Sequence, residues 1–393
     1  MGEVAMKRSA FAWPFAMAAL TSLSTFCPAA ADLAVVALDN HTVNVSGVSG
    51  PAKNPPPDAV AIVDIGQFPP KVLARVEAPA SVVGAPTSIW IAPDESWVIV
   101  TSASKIDPRN PDKIIEDDRV SVIDLKSSPP RVTQTIEAGK GANEVSVSPD
   151  GSVALVANRG EGTLSVFSVK DKRLTAAGKV ELGNPRGQPS SVKFLPGGKT
   201  AMVTRYGDNF VSVLSIDGTK VTVDKRKIVT GVSPYAMDIS RDGTVAVVGN
   251  MGGGGEGDIG TVSLIELGAG GPRTVDTVAV PSSPEGVKFS PDGKFVASAS
   301  INGSTRPKES PLFQEHGRLW MLAVVDNRLR PVAEAPIGRW SQGIAFSKDG
   351  KTVLVESMID HGLNVFRWQG GKLIPTGTLD LKGGTAAIRT AWP

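Results

Sequence analysis

The sequence predicts an all-β protein built from one repeated four-stranded unit, and three observations carry that reading. A turn motif recurs six times: APDES at 92–96, SPDGS at 148–152, LPGGK at 195–199, SRDGT at 240–244, SPDGK at 290–294 and SKDGK at 347–351. Each copy sits between short apolar runs, and Asp and Gly tolerate the positive φ that a tight hairpin turn needs. The copies lie 45 to 57 residues apart, room for about four short strands each. The composition agrees: 42 Gly, 30 Pro and abundant Val suit a turn-rich β protein. Units of this period that pack only on their neighbours are the blades of a β-propeller.

The first 31 residues are different in kind. Met6, Lys7 and Arg8 form a basic start, 9–26 is apolar, and Ala29, Ala30 and Ala31 precede Asp32. That is the pattern of a cleaved secretory signal peptide, with translation starting at Met1 or Met6. Pro14 and the Ser/Thr content argue against a spanning helix. Cys27 is the only cysteine; Ser24, Thr25 and Phe26 before it are not a lipoprotein cleavage box. The expected mature protein, 32–393, is therefore a single periplasmic or secreted propeller domain without disulfide or thiolate chemistry. Its net charge is +1 once Glu3, Lys7 and Arg8 leave. Nothing draws it to nucleic acid, or to a membrane after signal removal.

The blades follow in order. In 142–183, ANEVSVS, SVALVAN, TLSVFSV and AAGKVEL read as strands a to d, with period-2 alternation in 143–148 and 163–169. The same pattern covers 189–231, 234–281, 284–338, 341–383 and, with a longer loop, 86–139. The ends supply a seventh blade: 33–40, 59–65 and 71–79 read as strands b, c and d, and 385–392 as the missing strand a. This closes the ring and protects two sheet edges.

At the level of motifs, SPDGSVALVANRGEGTLSVFSV (148–169) and SRDGTVAVVGNMG (240–252) resemble the YVTN-type seven-bladed β-propeller repeat. The resemblance spans 33–392 and implies the fold. It implies little about function, because the scaffold serves exported binding proteins, lactonases and subunits of electron-transfer enzymes.

In such a blade the a–b and c–d turns lie on one face and the b–c and d–a connections on the other. The long segments 41–58, 105–118, 251–260 and 302–316 are all b–c connections, which marks that face as the binding side. Aligned entries to strand a give a second ring: Thr87, Asn143, Ser190, Tyr235, Glu285, Gln342 and Ala386, with Arg186, Arg205, Trp340 and Arg389 nearby. Tyr235, Glu285, Trp340 and Gln342, supported by Asn143, Arg186 and Arg205, are the expected ligand-binding residues: aromatic area plus directional hydrogen bonds.

Other chemistry is sparse. His41, His316 and His361 fall at or near b–c connections, and no metal or cofactor is expected. Gly252 to Gly255 lacks the Lys-Ser/Thr of a phosphate loop, and 116–118 lacks the alternating spacing of a calcium loop. The expected function is non-catalytic binding of a small polar molecule or a protein partner, by a monomer. Lactone hydrolysis is the alternative. Lactonase-like propellers place a Pro-Arg-His sequence and a second histidine at strand-a entries, whereas this chain has Pro234-Tyr235-Ala236 and Ala142-Asn143-Glu144. A carrier subunit of an amine or quinoprotein dehydrogenase is a further alternative.

Overall fold

The computed structural model describes residues 1–3, 32–253 and 259–391. The chain separates into Met1–Ala30 and Ala31–Pro393. The signal-peptide reading of 1–31 and the end of the closing strand at Trp392 lie outside the described residues. No helix among the described residues is long and apolar enough to cross a membrane.

The second unit is a ring of seven four-stranded antiparallel sheets. The inner strands a are Gly384–Thr390 in blade 1, then Ile89–Ile91, Ala142–Val147, Pro189–Phe194, Pro234–Ile239, Pro284–Phe289 and Ser341–Phe346 in blades 2 to 7. The repeat turn explains itself locally. Ser148 Oγ donates to Asp150 Oδ1 at 2.5 Å, Asp150 Oδ1 accepts the Ser152 N–H at 3.1 Å, and Gly151 takes φ +72. In APDES the equivalent left-handed residue is Glu95, at φ 52. The buried Asn that ends strand b ties it to strand c: Asn158 Nδ2 donates to Thr163 Oγ1 and Ser165 Oγ at 2.8 and 3.0 Å.

Ring closure is as the sequence implies. Gly384–Thr390 pairs antiparallel with Leu33–Asp39, from Ala34 opposite Thr390 to Asp39 opposite Gly384. Ala386, Ala387 and Ile388 are buried between blades. Apolar side chains from adjoining blades fill each interface, for example Phe167 with Val145 and Ile99, and Phe346 with Leu319 and Phe366. Each fully buried Val, Leu or Phe contributes about 1.5–3 kcal/mol.

Two further features position the site. The long connections 41–58, 105–118 and 302–316 join strands b and c, as do the described ends of 251–260, and two of them form hairpins: Thr42–Val45 with Val48–Pro51, and Ser104–Asp107 with Asn110–Glu116. The sequence reading passed over the long d–a connection between blades 1 and 2, residues 78–88. Its Ala80, Ser81, Val82 and Ala85 are buried. It crosses the channel: Ala85 exchanges two hydrogen bonds with the Asn143 side chain of blade 3, at 3.0 and 3.1 Å, and packs with Tyr235 and Ala236 of blade 5. Replacing Asn143 by Ala leaves the buried Ala85 N–H and C=O unpaired. We expect a loss of about 2 kcal/mol in chemical denaturation, with faster amide exchange across 78–88.

Candidate functional site: a channel open at one end

The inner strands are not regular. In blades 1 and 3 to 7, strand a holds one extra residue against its partner, as between Ala142 and Val145 or Pro234 and Met237. Such a bulge shifts the in–out alternation. Two tiers of side chains therefore line the channel, three residues apart.

The upper tier is the ring expected from sequence, and the 78–88 segment covers it. Tyr235 is hydrogen-bonded to the Gly84 backbone and Asn143 to Ala85. Glu285 and Gln342 are hydrogen-bonded and almost fully buried. Arg159, which the sequence reading did not select, reaches into this tier. It donates to Ser190 Oγ and Gln188 Oε1 and lies 4.6 and 5.5 Å from the ring centroids of Tyr206 and Tyr235.

Other expected site residues go elsewhere. Trp340, at φ 49, packs on the blade 1–2 core, and its backbone N–H donates to Ser304 Oγ. Arg205 is a buried wall residue, donating to Leu182 O at 2.7 Å and paired with Asp208. The Arg186 side chain is exposed. The expected pocket at the loop-rich mouth is thus corrected: Tyr235, Glu285, Gln342 and Asn143 do assemble, but beneath a plug.

The open end is opposite, among the a–b turns, where a cavity of about 630 Å³ enters the channel. Its walls are the lower tier: Trp90, Ser146, Lys193, Asp238, Lys288 and Arg389, with Trp97 and Phe194 at the sides. Trp90 and Trp97 meet edge to face at 4.9 Å. Three cations here face two carboxylates. Glu144 accepts the Val192 N–H at 2.9 Å and pairs with Lys193 at 2.5 Å and Arg389 at 3.2 Å. Asp238 accepts the Phe289 N–H at 2.9 Å, pairs with Lys288 at 3.1 Å and lies 3.9 Å from Arg389. Burial drives the Lys288 ammonium down to about 8 despite Asp238, and pushes Lys193 down as well. Burial opposes the Asp238 charge, yet Lys288, Arg389 and Lys193 outweigh it and hold that carboxyl below its usual range.

A second polar cluster joins the hairpins to the plug. His41 Nδ1 lies 3.0 Å from both Asp58 oxygens and 3.1 Å from Asp39 Oδ1, and Nε2 lies 3.2 Å from Ser104 Oγ, itself 2.7 Å from Ser81 Oγ. Asp39, His41 and Asp58 are close enough to hold an ion. Their oxygens are already engaged, however: Asp39 accepts the His41, Thr42 and Val82 N–H groups and Asp58 that of Asn40. Burial disfavours charge on His41, but the Asp58 hydrogen bond and both carboxylates outweigh it and raise its pKa. His316 and His361 are exposed.

Fold and channel together define a seven-bladed β-propeller with a charged well, plugged at the loop-rich end. No family model and no curated protein sequence matches the chain. Solved structures share the fold. A 6-phosphogluconolactonase candidate from Bacteroides fragilis superposes with a TM-score of 0.68 at 15% identity, covering 92% of this chain and 98% of that one. The periplasmic gluconolactonase of Pseudomonas aeruginosa gives 0.64 at 20% identity, over 92% and 100%. Hydrazine synthase of Kuenenia stuttgartiensis gives 0.55 at 20% identity, over 72% and 77%.

Proposed function

We propose that the chain is an exported propeller that binds a small anionic molecule with a flat or sugar-like body, through the a–b turn face. The observation that carries this is the cavity itself: Lys193, Lys288 and Arg389 outnumber Glu144 and Asp238, and Trp90, Trp97 and Phe194 supply apolar walls. Concave, mostly apolar sites with a few convergent charges are the usual form of small-ligand pockets. Export rests on the 1–31 leader pattern, and a propeller of this fold is named as periplasmic. N-terminal sequencing of protein from the periplasm should begin at or near Asp32; material that keeps Met6 in the membrane fraction would refute export. The loop-rich face, where Val45 and Val48 are exposed at a hairpin tip, is the surface for a protein partner.

Lactone hydrolysis is the second reading, favoured by one group. An amine with a pKa near 8 accepts protons close to neutrality, so neutral Lys288 suits a general base. It would take a proton from water as the oxygen adds to the lactone carbonyl, with Arg389 beside the oxyanion. The ring C–O bond then breaks and the departing alkoxide takes the proton back.

Calorimetry with 6-phosphogluconate, which cannot be hydrolysed as a lactone, tests binding. We expect Lys193→Met to weaken it at least tenfold and Trp340→Ala to leave it unchanged. Absence of binding by the wild type, or loss with Trp340→Ala alone, refutes the site. Hydrolysis of δ-gluconolactone above the buffer rate, with kcat falling in Lys288→Met far more than KM changes, would select the lactonase.

A further inference from the structure

Strand b carries one anomalous side chain. At its fifth position, blades 2 to 6 hold Thr101, Ala157, Thr204, Gly249 and Ala299, small residues that lie behind an inner strand. Thr204 Oγ1, for instance, donates to Tyr235 O of the next blade at 2.8 Å. Blade 7 has Glu356 there, with no exposure at all. A carboxylate in place of a methyl or hydroxyl group needs both room and a partner.

One glycine supplies the room: a Cβ on Gly343 would collide with Glu356 Oε2. The Gly343 N–H donates to Glu356 Oε2 at 2.8 Å, which satisfies one oxygen. Glu356 Oε1 has no donor among the described residues, and neither has Glu285 Oε2 nor Gln342 Oε1. All three side chains are more than nine-tenths buried. The Gln342 amide hydrogen-bonds Glu285, and Glu285 and Glu356 are close enough to repel one another.

Among the described residues no side-chain cation is ion-paired with Glu285 or Glu356. The two that face the group are Arg159, which donates to Ser190 and Gln188, and Arg389, which lies on Glu144 and Asp238. What is left is a set of acceptors only: two carboxylates and one amide carbonyl, beside a tier where blade 7 contributes only Ala345.

We infer that Glu285, Gln342 and Glu356 form a divalent-cation site in the blade 6–7 sector of the channel, of the hard, all-oxygen type that takes Ca²⁺. Carboxylates with an amide carbonyl match the irregular shell of six to eight oxygens that Ca²⁺ accepts, whereas Mg²⁺ demands near-octahedral geometry. The site is independent of the ligand bound at the a–b turn face.

The test uses the mature protein after dialysis against a chelator. Calorimetry and thermal unfolding with CaCl₂ and MgCl₂ should show one Ca²⁺ per chain, a raised Tm and weaker binding of Mg²⁺. Glu356→Ala should weaken Ca²⁺ binding at least tenfold and abolish the Tm shift, and Asp58→Asn should change neither. Glu285→Gln, which keeps size and shape, serves if Glu356→Ala does not fold. Absence of stoichiometric binding of either cation at about 1 mM, the weak end of protein Ca²⁺ sites, overturns the inference. So does binding that survives both glutamate variants or is lost with Asp58→Asn.

Discussion

Removal of 384–393 should abolish cooperative folding. The deletion takes the inner strand from blade 1 and strips Leu33–Asp39 of one row of ladder partners. It also removes Ala386, Ala387 and Ile388 from the inter-blade core, and Arg389 from between Glu144 and Asp238. An exposed, apolar, unpaired inner strand is an aggregation template. Domains of this kind hold a net stability of about 5–15 kcal/mol, and losing a whole strand with its core should exceed the lower end of that range. Thermal unfolding and size-exclusion chromatography read the result: no sharp transition, with oligomers at micromolar concentration. A monomeric deletion variant melting within a few degrees of the wild type would show that closure does not hold the ring.

Asp238→Asn should cost about 3–5 kcal/mol at pH 7, as breaking a buried ion pair does. The amide keeps the shape but leaves Lys193, Lys288 and Arg389 facing Glu144 alone. The pH dependence carries the signature. The Asp238 carboxyl sits below its unfolded value, so its contribution is present above about pH 4 and is lost as pH falls through the folded pKa. The gap between wild type and variant should therefore narrow in acid. Lys288 acts with the same sign over a higher window: its folded pKa is about 8 and the unfolded chain binds more protons above that, so stability rises with pH from about 8 toward 10.5. Without Asp238 that rise should begin at lower pH. Urea denaturation from pH 3 to pH 10 measures both limbs. Variant stability within about 1 kcal/mol of wild type at pH 7 would remove this pair from the forces holding the channel.

The blades were legible because the Asp-Gly turn has local chemistry that marks each unit without reference to its neighbours. Pairing of the two ends followed, since 33–40 lacks a strand a and Gly384–Thr390 lacks a strand b. The site was only partly legible. Repeat alignment finds Asn143, Tyr235, Glu285 and Gln342 as channel residues, but strict alternation would not turn the residue three further on to the same side. The bulge does that, and an inserted residue leaves no trace in apolar periodicity. Read across the repeats, Trp90, Ser146, Lys193, Asp238, Lys288 and Arg389 form a mixed-charge ring at that offset, the one signal that points to the open cavity. The plug escaped notice for another reason. Its burial depends on Asn143 and Tyr235, far away in sequence, so 78–88 reads locally as an ordinary surface connection. Trp340 and Arg205 show the converse error: a large or charged residue near a strand entry is as readily a wedge in the wall as a group aimed inward.

Blade 1 is sewn from both ends of the propeller, and the pairing of Ala34 with Thr390 fixes where those ends emerge. Strand b starts, and strand a stops, at the turn-bearing face, where Arg389, Thr390 and Ala391 border the cavity. A tag or fluorescent fusion appended directly after strand a of blade 1 would therefore sit at the rim of the well and hinder entry. Immobilising the protein by that strand end would present the plugged face to solution and turn the well toward the support. A permuted chain, cut at the exposed 266–273 turn and joined across the old ends, would free the rim and move both attachment points to blade 5.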